Sequence, residues 1–449
     1  MNFDLAIKSK KILTPNGFFD GYVLIKNGKI AEITDKKENL NCPIDDVGDL
    51  VLMYGIVDSH VHINEPGRTD WEGFETATKS AAAGGITTLV DMPLNCSPVT
   101  TTAKALKTKL DAVVGKLWVD CGFWGGIIPN NILELEPLIK AGVMGCKVFL
   151  IDSGIEEFPN VTESDLRDAM PILKKYNLPL LVHAEMESVV GETNEYNNAK
   201  SYQAFLDSRP KSLENNAIDL VLNLCNENRC KTHIVHLSSA DSLDIIQKAK
   251  DSGIPFSVET CPHYLTFNSE DISDGDTRFK CCPPIREKEN NEKLWDGIKN
   301  EVIDFIVSDH SPCTANLKLM ETGNIEKAWG GISGLQFSLS IIWTEAKNRG
   351  ISINQLSKLM SEKTANFIGL GDVKGKIAIG YDADFVIWNP GETFTIKEDI
   401  IQHKNKVTPY LDKELTGVVK KTYLRGNKIY ENGTFLDNPI GEFLLKKND

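Results

Sequence analysis

The chain has 449 residues, a formal net charge of −14, 41% hydrophobic and 25% charged residues, an ordinary composition for a globular protein. That length is about three times a ~150-residue domain, so one large domain with a smaller companion is expected. The negative charge would repel a polyphosphate, and neither a basic stripe nor an apolar run of ~20 residues occurs, so nucleic acid and membrane are set aside as partners in favour of a small molecule.

Taken in chain order, residues 1–50 alternate polar and apolar residues and contain the turn signal Asn27-Gly28, which predicts β structure. No continuous apolar core with a small-residue cleavage site stands at the start, so a cytoplasmic location is expected. Between residues 51 and 312, inside a barrel domain expected over 51–374, short runs rich in Val, Ile and Leu alternate with amphipathic stretches. The runs are VLMYGIVDSHVH, ITTLVDMP, WVDCGFWGGI, GCKVFLI, LPLLVHAE, THIVHLSS, IPFSVET and DFIVSDHSP. Segments such as ESDLRDAMPILKKY and NNAIDLVLNLCNEN between them carry helical spacing. Eight such units predict a (β/α)8 barrel, with its active site at the C-terminal ends of the strands. Residues 375–449 return to strand-like alternation with Asn-Gly punctuation, so the two ends are expected to pair into one small β-sandwich. The ten cysteines show no CxxC pairs and several lie in apolar strands, which fits reduced, buried thiols.

Candidate ligands fall at the strand ends. His60 and His62 leave one face of the first strand, since side chains at i and i+2 point together. Lys147 lies in the fourth run, His183 ends the fifth, His236 the sixth and Asp309 the eighth. Imidazoles with a carboxylate suit zinc or another divalent first-row metal. Lys147 is the anomaly, because an ammonium in a buried strand is costly. One reading has it reach out to the rim. The other has burial lower its pKa, so that the neutral amine adds CO2 and the carbamate bridges two cations.

These stretches, with the GxDADFV return near the C-terminus, resemble the amidohydrolase superfamily, and within it the cyclic-amide hydrolases: dihydroorotases, hydantoinases and allantoinases. The resemblance covers almost the whole chain. It implies two divalent metal ions, Zn2+ by expectation, held by His60, His62, Lys147 as N6-carboxylysine, His183, His236 and Asp309. Dihydroorotases place an arginine where this chain has Asn64, which cannot grip a carboxylate in bidentate fashion. Hydantoinases place a tyrosine where it has Asp152. HINEPGRTDWEGF, KVFLIDSG, ETCPHYL, KCCPPIR and WGGISGLQ resemble the allantoinases. The resemblance therefore implies opening of the hydantoin ring of allantoin to allantoate by a hydroxide bridging two metals, with Asp309 also serving as base. Asn64, Asn95 and Ser311 are candidate substrate contacts, His263 and His310 are candidate donors at the rim, and Cys282 is expected to be simple packing. The resemblance further implies a homo-oligomer, a tetramer by expectation. The alternatives are a hydantoinase or dihydropyrimidinase, and a non-enzymatic scaffold of the same fold.

Overall fold

The computed structural model describes residues 2–36, 40–187 and 198–447. Five strands come first: β1 (Leu5–Thr14), β2 (Gly17–Lys26), β3 (Lys29–Thr34), β4 (Ile44–Asp46) and β5 (Val51–Tyr54). The barrel strands are β6 (Ile56–Val61), β7 (Ile86–Asp91), β8 (Asp120–Phe123), β9 (Gly125–Gly126), β10 (Cys146–Phe149), β11 (Leu180–His183), β12 (Thr232–Ile234), β13 (Phe256–Thr260) and β14 (Phe305–Ile306). The chain ends with β15 (Phe385–Thr395), β16 (Glu414–Leu424), β17 (Asn427–Glu431), β18 (Thr434–Phe435) and β19 (Phe443–Leu444).

The architecture is a (β/α)8 barrel with a β-sandwich domain. All neighbouring pairs from β6 to β14 are parallel, except that β8 and β9 are two pieces of one strand interrupted at Trp124. At that residue the main-chain amide donates to the Asp91 carbonyl at 3.0 Å and the indole N–H to the Ser59 carbonyl at 2.7 Å. The barrel closes where Val61 bridges His310 in parallel and the His62 amide donates to the His310 carbonyl at 2.8 Å. Outer helices form where their spacing predicts them. Glu163–Lys175, for example, starts at a capping box in which Thr162 and Asp165 satisfy each other's backbone amides.

Strands from both ends of the chain form one nine-stranded sheet, in which β5 lies parallel to β1 and antiparallel to β15. The first apolar run is therefore two strands in two different sheets. It divides at Gly55, where a Cβ would collide with the Thr87 side chain, so only glycine lets the chain step from sheet to barrel. The sheet has its own core of Ile7, Val23, Leu52, Phe385 and neighbours. The tail then returns, and β19 adds to barrel strand β8. No helix among the described residues is long and apolar enough to cross a membrane.

A buried ionic cluster ties the two parts together. Lys374, 2% exposed, donates to Asp384 at 2.7 Å and to Asp120 at 3.0 Å, and lies 3.0 Å from Asp382. Arg425 adds a bond to Asp120 and its amide donates to Asp384. Burial alone would depress the Lys374 ammonium, but the three carboxylates outweigh it and hold it above the ordinary lysine range. Asp382 and Asp384 are the two aspartates of the GYDADFV stretch, so that motif is a strap rather than part of the chemistry. Removing the cation leaves buried carboxylates uncompensated, which costs about 3–5 kcal/mol. Lys374→Met is expected to lower the urea-unfolding free energy by about that amount, and an unchanged midpoint would rule out the strap.

Candidate active site at the barrel mouth

The first strand carries its histidines to the barrel's C-terminal end because Asp58 fixes the main chain beneath them. Its carboxylate accepts from the His60 amide at 3.1 Å and, across the closing seam, from the Ser308 amide at 3.0 Å. Burial pushes this carboxyl up to about 7 despite those donors. His60 lies inside β6, His62 one residue past it, Lys147 within β10 and His183 at the end of β11. His236 and Asp309 stand just beyond β12 and β14, both in the left-handed region at φ 43°, and both line the cavity described below.

The six side chains converge. His60 Nε2 lies 3.3 Å from Lys147 Nζ and 3.2 Å from Asp309 Oδ1, and His62 Nε2 is 3.6 Å from the same oxygen. His183 Nδ1 faces His236 Nε2 at 2.9 Å. Burial, reinforced by Lys147, holds His62 down to about 3 and keeps His60 well below the imidazole range, while His236 and His183 are lowered mainly by burial too. Neutral imidazoles expose lone pairs, and two of these nitrogens face each other at hydrogen-bond distance while the remaining His236 nitrogen is buried without a partner. A donor set of this kind fits divalent cations. His60, His62 and Asp309 form one group able to hold an ion. Burial lowers Lys147 and raises Asp309, so each is pushed toward its uncharged form.

A cavity of about 410 Å³ opens above this floor. His62, Lys147, His183, His236 and Asp309 line it, with Asn95 and Ser311 on its wall, while His60 lies beneath them, fully buried. Asn64 is placed differently. It is 1% exposed, takes a left-handed φ of 65°, donates to the Pro312 carbonyl at 3.2 Å and accepts from Asn95 Nδ2 at 3.5 Å, and is not among the lining residues. It stands behind Asn95. Asp152 lines the cavity and accepts from the Gly154 amide at 3.0 Å. Cys282, expected as packing, is on the cavity wall. His263 and His310 lie below the rim, at 1% and 0% exposure, and neither lines the cavity.

Sequence reasoning passed over the carboxylates behind the histidines. Glu259 accepts from His60 Nδ1 at 2.5 Å and pairs with His233 Nε2 at 3.1 Å, and burial pushes it up to about 8. Glu185 pairs with His183 Nε2 at 2.8 Å and Arg209 at 2.7 Å. Burial would raise Glu185, but Arg209 and His183 outweigh it and hold the carboxyl down to about 2. The signal was available: an acid inside the apolar strand FSVET raises the same question of burial cost as Lys147.

A sequence profile of the amidohydrolase family matches residues 51–429. "Probable allantoinase 2" of Dictyostelium discoideum is 47% identical over 99% of this chain and 93% of that protein. The allantoinase of Streptomyces avermitilis is 46% identical over 99% of both chains. Among solved structures, the L-hydantoinase (dihydropyrimidinase) of Arthrobacter aurescens superposes with a TM-score of 0.93 at 29% identity, covering 99% of this chain and 100% of the other. With a profile spanning most of its length, full-length relatives and a barrel-mouth cluster of histidines, a lysine and an aspartate, the chain belongs to the amidohydrolase family.

Proposed function

We propose that this chain opens the hydantoin ring of allantoin to allantoate. The observation that carries the reading is the convergence of six side chains, drawn from five strands, on the floor of one small cavity, in a chain whose full-length relatives are named allantoinases. His60, His62 and Asp309 would hold one divalent cation, and His183 and His236 a second, Zn2+ in both places, with Lys147 as N6-carboxylysine between them. Bound there, the pair supplies an acidified water and a Lewis acid for the scissile carbonyl.

The protein's own groups do the rest. Asp309, raised by burial, takes the proton of the attacking water and returns it to the departing ring nitrogen. Asn95 and Ser311 present polar edges to a neutral ring, and Asn64 acts by holding the Asn95 amide. Glu259 fixes which nitrogen of His60 carries the proton, leaving Nε2 as the ligand, and Glu185 acts in the same way on His183. The lowered lysine amine supports carbamate formation, since only the neutral amine adds CO2.

The same proposal assigns 1–50 and 375–449 to the β-sandwich and 51–374 to the barrel, with β5 crossing between them, which the β5–β15 pairing supports. It also includes a homo-oligomer, a tetramer by analogy, and a cytoplasmic location, supported by ten unpaired thiols.

Allantoin, hydantoin, dihydrouracil and dihydroorotate assayed side by side are expected to rank allantoin first by kcat/KM, and ring opening confined to dihydroorotate would sink the substrate assignment. Asp309→Asn is expected to lower kcat by about 10⁴-fold, and near-normal turnover would remove its role as base. Glu259→Gln is expected to weaken metal retention about 10- to 100-fold in chelator competition. Isotopically labelled bicarbonate should give a carbamate resonance in the wild type and none in Lys147→Met. Its absence from fully active enzyme would refute the bridge.

A further inference from the structure

Lys318 lies outside both the proposed ligand set and the cavity lining, in the turn-rich segment 314–323, and is 3% exposed. Its ammonium donates to three main-chain carbonyls: Lys280 at 3.1 Å, Trp329 at 3.0 Å and Gly331 at 2.5 Å. Its hydrogen-bond partners are thus carbonyl dipoles rather than a carboxylate, and burial lowers its pKa. A cation buried on these terms is costly, and it stays protonated only while the three carbonyls remain aimed at it.

The peptide unit is planar and trans, so its N–H points opposite to its C=O. Turning the Lys280 and Trp329 carbonyls toward Lys318 therefore turns the N–H groups of Cys281 and Gly330 the other way. Lys280, Cys281, Cys282, Trp329, Gly330 and Gly331 all line the cavity, whereas Lys318 does not. Gly331 joins the two segments, since its amide donates to the Lys280 carbonyl at 2.9 Å. It also packs so closely on Ser311 that a Cβ there would collide with it. The whole wall is therefore held in one orientation from behind.

We propose that Lys318 is a positioning residue whose buried ammonium aims the amide N–H groups of Cys281 and Gly330 into the cavity as donors for a carbonyl of the bound ring. This rests on the reading that the cavity takes a cyclic amide, whose ring carbonyls are its strongest acceptors. It does not depend on which cyclic amide is bound. Lys318 makes no contact with the reacting atoms, so its effect falls on binding.

The test compares Lys318→Met and Lys318→Gln with the wild type, using whichever cyclic amide the wild type opens. Lys318→Met is expected to raise KM about tenfold with kcat and metal content little changed. Lys318→Gln, which keeps two N–H donors, should fall between the two. If the Met variant fails to fold, Lys318→Gln carries the second readout. This is inhibition by an oxo ring against its thio analogue, a weaker acceptor, and the wild-type preference for the oxo ring should shrink. An unchanged KM and unchanged preference would overturn the proposal while leaving the allantoin reading intact. A parallel loss of kcat, KM and metal would also overturn it, by showing a merely structural role. Failure of allantoin as substrate, with the KM shift present on another ring, would overturn the substrate assignment alone.

Discussion

Placing Lys147 among four imidazoles in the interior of a barrel is the constraint from which the rest of the site follows. An ammonium there loses its hydration and gains only neutral or weakly opposed neighbours, so the fold pushes the group toward the amine. The same burial keeps the histidines neutral and lifts the carboxyls of Asp309 and Glu259. A mouth whose burial pushes the lysine, the histidines and Asp309 toward their uncharged forms suits divalent cations, which would supply charge and exchange protons for metal–ligand bonds.

Holding such groups in register requires a stiff frame. Main-chain hydrogen bonds supply it along the strands, and buried acids supply it between them: Asp58 spans the first and last strands, and Glu259 links His60 to His233. The β-sandwich is anchored to the barrel by an ionic cluster around Lys374, which reaches Asp120 at the first residue of β8. The chemistry and the strap use the same physics with opposite outcomes. Around Lys374 three carboxylates outweigh burial and keep the amine charged, whereas around Lys147 burial outweighs Asp309 and Glu259.

The parts of this arrangement that were legible in the amino-acid order were those with a period or a cost. The alternation of two placed His60 and His62 on one face, and the expense of burying an amine singled out Lys147. The eight apolar runs were legible as a barrel because each is bounded by helical spacing. What could not be read was set by backbone turns that leave no pattern. Asn64, next to the histidines in sequence, turns away at a positive φ and acts from behind Asn95. A continuous apolar run conceals the step at Gly55, since periodicity does not report which sheet a strand joins. Lys318 had no sequence signal at all, because its partners are carbonyls contributed by residues of any type.

The seam at which the barrel closes, between Val61 and His310, runs directly between two of the proposed ligands, His62 on one lip and Asp309 on the other. An ion gripped by both lips would act as a clasp across a join between residues some 250 positions apart. Ring closure of the polypeptide and completion of the catalytic floor would then share one set of contacts, the set on which a chelator would act.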